Sequence, residues 1–455
     1  MSVKIKPENL KPVARLLAQF KPSKVTRSRS NPWNGLHRLV ASEGRLRLLS
    51  TDGSSFLEWI ISHEGTILDA FDMTVEADQF NNVALRLSDG DLISISSASG
   101  YLTLNQGQRN LRMPWQSAPA YPEPERKLGS PIEQPLIWKY PTSDLAKSLD
   151  FVAGYINPSN NSLGKDVATL NTSHELTGGG ADKQASVLGL NATLTDLSLN
   201  QMAARQVSAF LHLLSDKVEV NAADDLYTFT CPLRFHRLIV PRAPRSLLKP
   251  LGFVANSDYE QFEVDREELT SSISFLATVV TAKAKPLEFR VRGRGEGASL
   301  RIMTPFQLEA DKSEDTLPIV RTFHRVGDSP DPEGGTPATP VDEIKLLVNA
   351  EPLRGILSSL EGKIVFLKFF PRKKLILIEE DSRERTGIRR LVTLLVGTIC
   401  EPTKELVEED NLSTTIEASD AITDLQEPSP ELLVGAAAVH AGVEGTSDRR
   451  DKRRR

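Results

Sequence analysis

Six stretches of the chain carry apolar residues at helical spacing, and short runs with the two-residue period of strands follow them. Leu10, Val13, Leu16, Leu17 and Phe20 share one helical face, as do Phe80, Val83, Ala84 and Leu87. Further stripes run from Leu145 to Ile156, Met202 to Leu214, Leu269 to Val280 and Leu353 to Leu360. The order helix, strands, helix, strands therefore occurs three times. A repeat of this kind points to an assembly of similar units, not to one catalytic pocket.

In segment one, about residues 1–122, strand-like runs cover Leu36 to Ala41, Leu46 to Ser50 and Phe56 to Ser62. Glu76 and Asp78 open the second helix, where carboxylates suit the helix dipole. Asp89-Gly90 is a turn signal, and Leu92 to Ser96 and Tyr101 to Leu104 alternate as half-buried strands do. The Pro-rich stretch Pro114 to Pro135 reads as a linker. Segment two, about 136–250, repeats this order, with Gly178-Gly-Gly180 read as a flexible turn. Segment three, about 258–402, opens its first helix on Asp265 with Glu268 three positions on, the pattern of a cap. Its strands Leu287 to Arg292 and Ser299 to Met303 form a hairpin across Gly293 to Gly297. From 403 to 455 acidic and small polar residues give way to a basic end, which reads as a disordered tail.

Length and charge sharpen this picture. The 455 residues suit three domains of about 150 residues each. With 55 Lys and Arg against 60 Asp and Glu, the net charge of −5 argues against a protein coated with nucleic acid over its whole surface, while leaving room for a local basic face. Cys231 and Cys400 lie far apart and read as small buried hydrophobes in a reducing compartment. No apolar run has the length of a signal peptide core or a membrane span, so a cytoplasmic protein without membrane contact is expected. Arg292-Gly-Arg-Gly-Glu-Gly297 lacks a following helix and reads as a hairpin turn. The seven histidines show no metal-ligand spacing and no nucleophile elbow is present, so neither an enzyme nor a cofactor or metal is expected.

Three stretches carry a resemblance. They are Leu46-Arg-Leu-Leu-Ser-Thr-Asp-Gly-Ser-Ser-Phe-Leu-Glu58, Ala168-Thr-Leu-Asn-Thr-Ser-His-Glu-Leu176 and Leu346-Leu-Val-Asn-Ala-Glu-Pro-Leu-Arg-Gly-Ile-Leu357. In order and spacing they resemble the bacterial DNA sliding clamp, the β subunit of DNA polymerase III. The chain departs from that pattern at Thr172-Ser173 and Glu175, and in lacking a Met-rich end at 396–402, as a divergent phage or plasmid version would. The resemblance implies an α+β fold of three similar DNA-clamp domains, at 1–122, 136–250 and 258–402. Each would have two helices packed on antiparallel sheets and form part of a closed ring.

The function so implied is a processivity factor: a head-to-tail homodimer encircling duplex DNA and tethering the replicative DNA polymerase after a clamp loader has closed it. An edge strand near Leu102 would pair with one near Leu377 of the neighbouring chain. A non-specific ring needs cations where the helices face the duplex. The residues so placed are Lys11, Arg15, Lys21, Lys24, Arg27, Arg29, Arg86, Lys147, Arg205, Lys283, Lys285 and Arg354. Each taken alone reads more readily as a solvated helix charge, whereas the Lys21 to Arg29 cluster fits a phosphate-tracking loop. The family's partner-peptide pocket, carried over by position, falls on His174, Leu176, Pro250 and Ile399, with His174 read alternatively as a turn residue bonded to backbone. Two other readings stay open: a clamp-derived interaction scaffold that does not encircle DNA, and a β-rich virion structural protein.

Overall fold

The computed structural model describes residues 3–20, 33–65, 67, 70–117, 121, 136–138, 142–156, 167–171, 174–179, 183–190, 197–214, 217–222, 225–244, 258–280, 285–305, 313–324, 342–370, 374–380 and 388–396. The expected tail at 403–455 and the linker beyond Tyr121 lie outside the described residues.

The first unit runs β1 (Val3–Ile5), α1 (Pro7–Leu17), β2 (Leu36–Ser42), β3 (Arg45–Thr51), β4 (Phe56–Ile61), β5 (Phe71–Glu76), α2 (Ala77–Arg86), β6 (Ile93–Ala98), β7 (Tyr101–Gln106) and β8 (Arg109–Gln116). The second repeats it as β9 (Leu136–Trp138), α3 (Thr142–Ala153), β10 (Val167–Leu170), β11 (Leu176–Gly179), β12 (Gln184–Leu188), β13 (Leu197–Asn200), α4 (Gln201–His212), β14 (Val218–Ala222), β15 (Leu226–Cys231) and β16 (His236–Pro241). The third runs β17 (Tyr259–Asp265), α5 (Arg266–Val279), β18 (Pro286–Arg292), β19 (Ser299–Met303), β20 (Glu314–Pro318), β21 (Val320–His324), β22 (Glu343–Asn349), α6 (Ala350–Ser359), β23 (Ile364–Phe370), β24 (Leu375–Glu380) and β25 (Arg389–Leu395). All six expected helices are present. The strand β8 carries Pro114 and continues to Gln116, so the Pro-rich stretch begins inside the sheet.

Strand turns into helix without a loop. The last residue of the preceding strand is extended and serves as N-cap: Glu76 for α2, Asn200 for α4, Asp265 for α5 and Asn349 for α6. The Asn200 side chain accepts from Ala203 N at 2.8 Å and Asp265 accepts from Glu267 and Glu268, satisfying donors that a helix start leaves open. An insertion at these points would break both elements.

Within each of the first two units the strands form two four-stranded antiparallel ladders, β5-β2-β3-β4 with β1-β6-β7-β8 in the first; in the third, β21 adds a fifth strand to β17-β23-β24-β25, and in every unit the helix pair packs on the ladders. One apolar core threads all three units, from Leu10 and Phe80 through Leu149 and Phe210 to Leu276 and Leu357. The units are joined edge to edge. β4 pairs with β16 through Glu58↔Arg237, Leu57↔Leu238 and Phe56↔Ile239. β12 pairs with β25 through Ala185↔Val392, Ser186↔Leu391, Val187↔Arg390 and Leu188↔Arg389. The result is a twelve-stranded and a nine-stranded sheet crossing from unit to unit, plus the four-stranded sheet β20-β19-β18-β22. In the third unit one run of chain serves two sheets: β20 pairs with β19, and past Ile319 β21 pairs with β17.

Two expectations need correcting. Leu102 and Leu377 do not lie on edge strands: Leu102 faces Ser97 on one side and Met113 on the other, Leu377 faces Lys368 and Thr393, and both are fully buried. An alternating pattern marks a half-buried strand but carries no information on whether its flanks are paired. Gly178 and Gly179 belong to β11, not to a flexible turn. A Cβ on Gly178 would lie 2.3 Å from Val152 Cγ1 of α3, so glycine is there to let the strand pass close under the helix. Gly179 has φ +151, and a Cβ on it would meet Lys183 O at 2.4 Å.

Candidate nucleic-acid interface

Each helix pair buries one face in the core and leaves the other exposed, and the charges there come from the repeat itself. Arg15 on α1, Arg86 on α2, Lys147 on α3 and Arg205 on α4 are exposed and make no ion pair among the described residues. Three other expected cations are engaged. Lys11 Nζ lies 2.7 Å from Asp89. In the third unit, Lys285, just before β18, lies 3.3 Å and Arg354 of α6 2.7 Å from the same carboxylate, Glu351. Exposed Glu267 and Glu268 begin α5. The helix cations left without an ion pair among the described residues thus belong to the first two units, where Glu8, Asp78, Asp144 and Asp150 stand on the same helices. Helical spacing places each Lys and Arg on its own helix but gives no sign of Asp89, whose closeness to Lys11 comes from the packing of α1 on α2. Lys21, Lys24, Arg27, Arg29 and Lys283 lie outside the described residues.

The unit junctions hold the helices in place. The Thr51-Asp52-Gly53 turn is an Asx turn: Asp52 Oδ1 accepts from Ser54 N at 2.9 Å, Ser54 Oγ at 2.8 Å and Ser55 N at 2.7 Å, and Gly53 takes φ +96. Its other oxygen, Oδ2, accepts from Gln206 Nε2 at 2.7 Å, so the turn braces α4 of the next unit. At the same junction Glu58 is buried between Arg237 at 2.6 Å and Arg47 at 3.4 Å. At the second junction Tyr155 Oη bonds Ser359 Oγ at 2.7 Å, and the Arg390 guanidinium lies 5.4 Å over the Phe151 ring. Burial pushes the Tyr155 hydroxyl up to about 12, against smaller opposing effects of Ser359 and Arg390. It is therefore a neutral structural group at physiological pH.

The residues carried over to the partner pocket separate by burial. His174 is exposed in a tight turn, with φ +59 and its N–H donated to Asn171 O at 3.1 Å. Asn171 Oδ1 also accepts from Glu175 N at 3.1 Å. Leu176, two residues on, is fully buried and pairs with Leu170 and Val187, so it supports the turn from inside. Pro250 and Ile399 lie outside the described residues.

No protein-family model matches this chain, and no curated protein matches its sequence. Solved structures do match. The DNA polymerase III β subunit of Thermotoga maritima superposes with a TM-score of 0.69 at 12% identity, over 88% of this chain and 100% of that one. The β subunit of Pseudomonas aeruginosa gives 0.64 at 14% identity, and the β clamp of Helicobacter pylori 0.62 at 15%, each with the same two coverages. The chain is similar to these proteins along their whole length and has the fold of bacterial sliding clamps.

Proposed function

We propose that this protein is a sliding clamp: a ring that holds duplex DNA without reading its sequence and tethers the replicative DNA polymerase. The observation that carries the reading is the threefold unit with sheets continuous across both internal junctions, in a fold shared with DNA polymerase III β subunits. A ring of this kind needs no catalytic residue and no cofactor, only closure and cations that follow phosphate. Arg15, Arg86, Lys147 and Arg205 supply such cations, with Lys21, Lys24, Arg27, Arg29 and Lys283 as further candidates. Lys11, Lys285 and Arg354 contribute less, each being shared with a carboxylate.

Closure takes a second chain, head to tail, since the two ends of one chain's unit series are different surfaces. The domain division 1–122, 136–250 and 258–402 and a cytoplasmic setting belong to the same proposal. So does a partner-peptide pocket around His174, with Leu176 beneath it and Pro250 and Ile399 completing it.

The experiment is retention on DNA. Loaded by its clamp loader onto nicked circular duplex, the protein stays bound through gel filtration and is lost once the circle is cut. Equal retention on circle and line overturns the proposal. A second reading, a scaffold that docks partners without encircling DNA, draws on the near balance of acidic and basic residues on all three helix pairs. It requires a chain that stays monomeric at micromolar concentration and ignores DNA topology.

A further inference from the structure

Asp52 divides its carboxylate between two units. Oδ1 accepts from Ser54 N, Ser54 Oγ and Ser55 N and so closes the turn of its own unit, while Oδ2 accepts from Gln206 Nε2 of α4 at 2.7 Å. The same Nε2 donates to Gln19 O at 3.4 Å, just past the C-cap of α1. Gln206 is fully buried, and its Oε1 has no hydrogen-bond partner among the described residues. The amide can therefore face only one way. Turned over, Oε1 would meet a carboxylate and a carbonyl, and the buried amide donors would lose both acceptors.

This bond sets the rotation of a helix. Gln206 and Phe210 lie one turn apart on the face of α4 that meets the first unit, Phe210 against Trp59 and Gln206 against the Asp52 turn. The apolar contact tolerates turning, whereas a hydrogen bond has direction. Arg205 precedes Gln206 and is exposed; Arg15, also exposed, lies one turn before Gln19. One buried amide thus links the two helices that carry these cations.

The second junction lacks both members of the pair. Asp52 follows Thr51 of the Thr51↔Phe56 pair, and the residue that follows Gly179 of the equivalent Gly179↔Gln184 pair is a glycine. On α6, Gly355 stands as far past the N-cap Asn349 as Gln206 stands past Asn200, and a Cβ there would have nothing within 4 Å. The polar brace therefore lies where the two helix pairs with unpaired cations meet.

We propose that Asp52 and Gln206 are positioning residues for DNA: their bond holds α4 against α1 at the rotation that presents Arg205 and Arg15 to a common phosphate track. The inference rests on the ring reading and identifies, within it, what keeps the charges of the first two units in register.

The sign of one substitution tests it. Asp52→Asn removes a negative charge, which by electrostatics alone tightens binding to DNA. It keeps the turn's Oδ1 acceptor but sets a donor against Gln206 Nε2. Binding of the full-length protein to a short duplex, followed by fluorescence anisotropy over a salt series, should therefore weaken at least threefold. The slope of log K on log salt should fall by up to about 0.9, the value of one phosphate. The double exchange Asp52→Asn with Gln206→Glu makes position 52 the donor and position 206 the acceptor at unchanged net charge, and should recover most of the affinity. In an Arg205→Ala background the loss from Asp52→Asn should shrink, which a general loosening of the junction would not produce. An Asp52→Asn protein that binds as tightly as wild type or more tightly, a loss that persists in full without Arg205, or an exchange that recovers nothing overturns the positioning role and leaves the ring standing. A wild-type affinity that does not depend on salt overturns both.

Discussion

The Trp59 indole lies flat on the His236 imidazole, with 3.8 Å between ring centroids and 6° between planes. His236 Nδ1 accepts from Ile60 N at 3.1 Å, and Phe210 meets the indole edge-on at 5.9 Å. Three side chains from β4, β16 and α4 thus close the junction between the first two units. Trp59→Ala should cost about 3–5 kcal/mol in urea denaturation, the range for emptying a buried aromatic site. A loss below about 1 kcal/mol, the scale of an ordinary surface substitution, would mean that the stack does not hold the junction.

Gly178→Ala should destabilise by about 1–3 kcal/mol, because the added methyl enters the space of Val152. The V152A/G178A double variant should recover part of that loss. Strict additivity in the double-mutant cycle would show that the two positions do not touch.

His37 is buried beside Phe80, and Asn81 Oδ1 lies 3.2 Å from its Nε2. Burial drives its pKa from 6.5 down to about 4, with the Asn81 bond opposing. The unfolded chain therefore binds this proton more readily than the folded one. The stability that depends on neutral His37 is fully present above about pH 6.5 and falls as the pH drops toward 4. Between pH 7 and pH 5 the loss should be about 2 kcal/mol. Denaturation of wild type and His37→Leu at both pH values checks this; an equal drop in the two would locate the effect elsewhere.

Replacing Arg15, Arg86, Lys147 and Arg205 together with Ala should flatten the dependence of log K on log salt for duplex DNA, by about 0.9 for each phosphate no longer neutralised. Arg354→Ala should change it little, since that guanidinium is already held by Glu351. An unchanged slope in the quadruple variant would remove these residues from the DNA-facing surface.

The helices were legible because each carries a broad apolar stripe and a local start signal, as Asp265 and Glu268 do for α5. The threefold order followed from them. β1, β5, β13 and β20 were not legible, being short, polar on one side or hidden beside a helix cap. Gly178 misled for a physical reason: composition marks glycine as a turn former, but the demand here comes from Val152 on a distant helix. The same limit governs the charges. Nothing near Lys11 in sequence announces Asp89, and nothing near Lys285 announces Glu351, since both pairs exist only once the chain has folded.

The passage of one strand through two sheets at Ile319 gives the third unit a load path. Arg321, just past the bend, is fully buried; it bonds Glu260 at 2.5 Å and also donates to Gly293 O at 3.0 Å and Asp342 O at 3.2 Å. The buried guanidinium thus ties the strand past the bend to β17, to the chain just after β18 at Gly293 and to Asp342 just before β22.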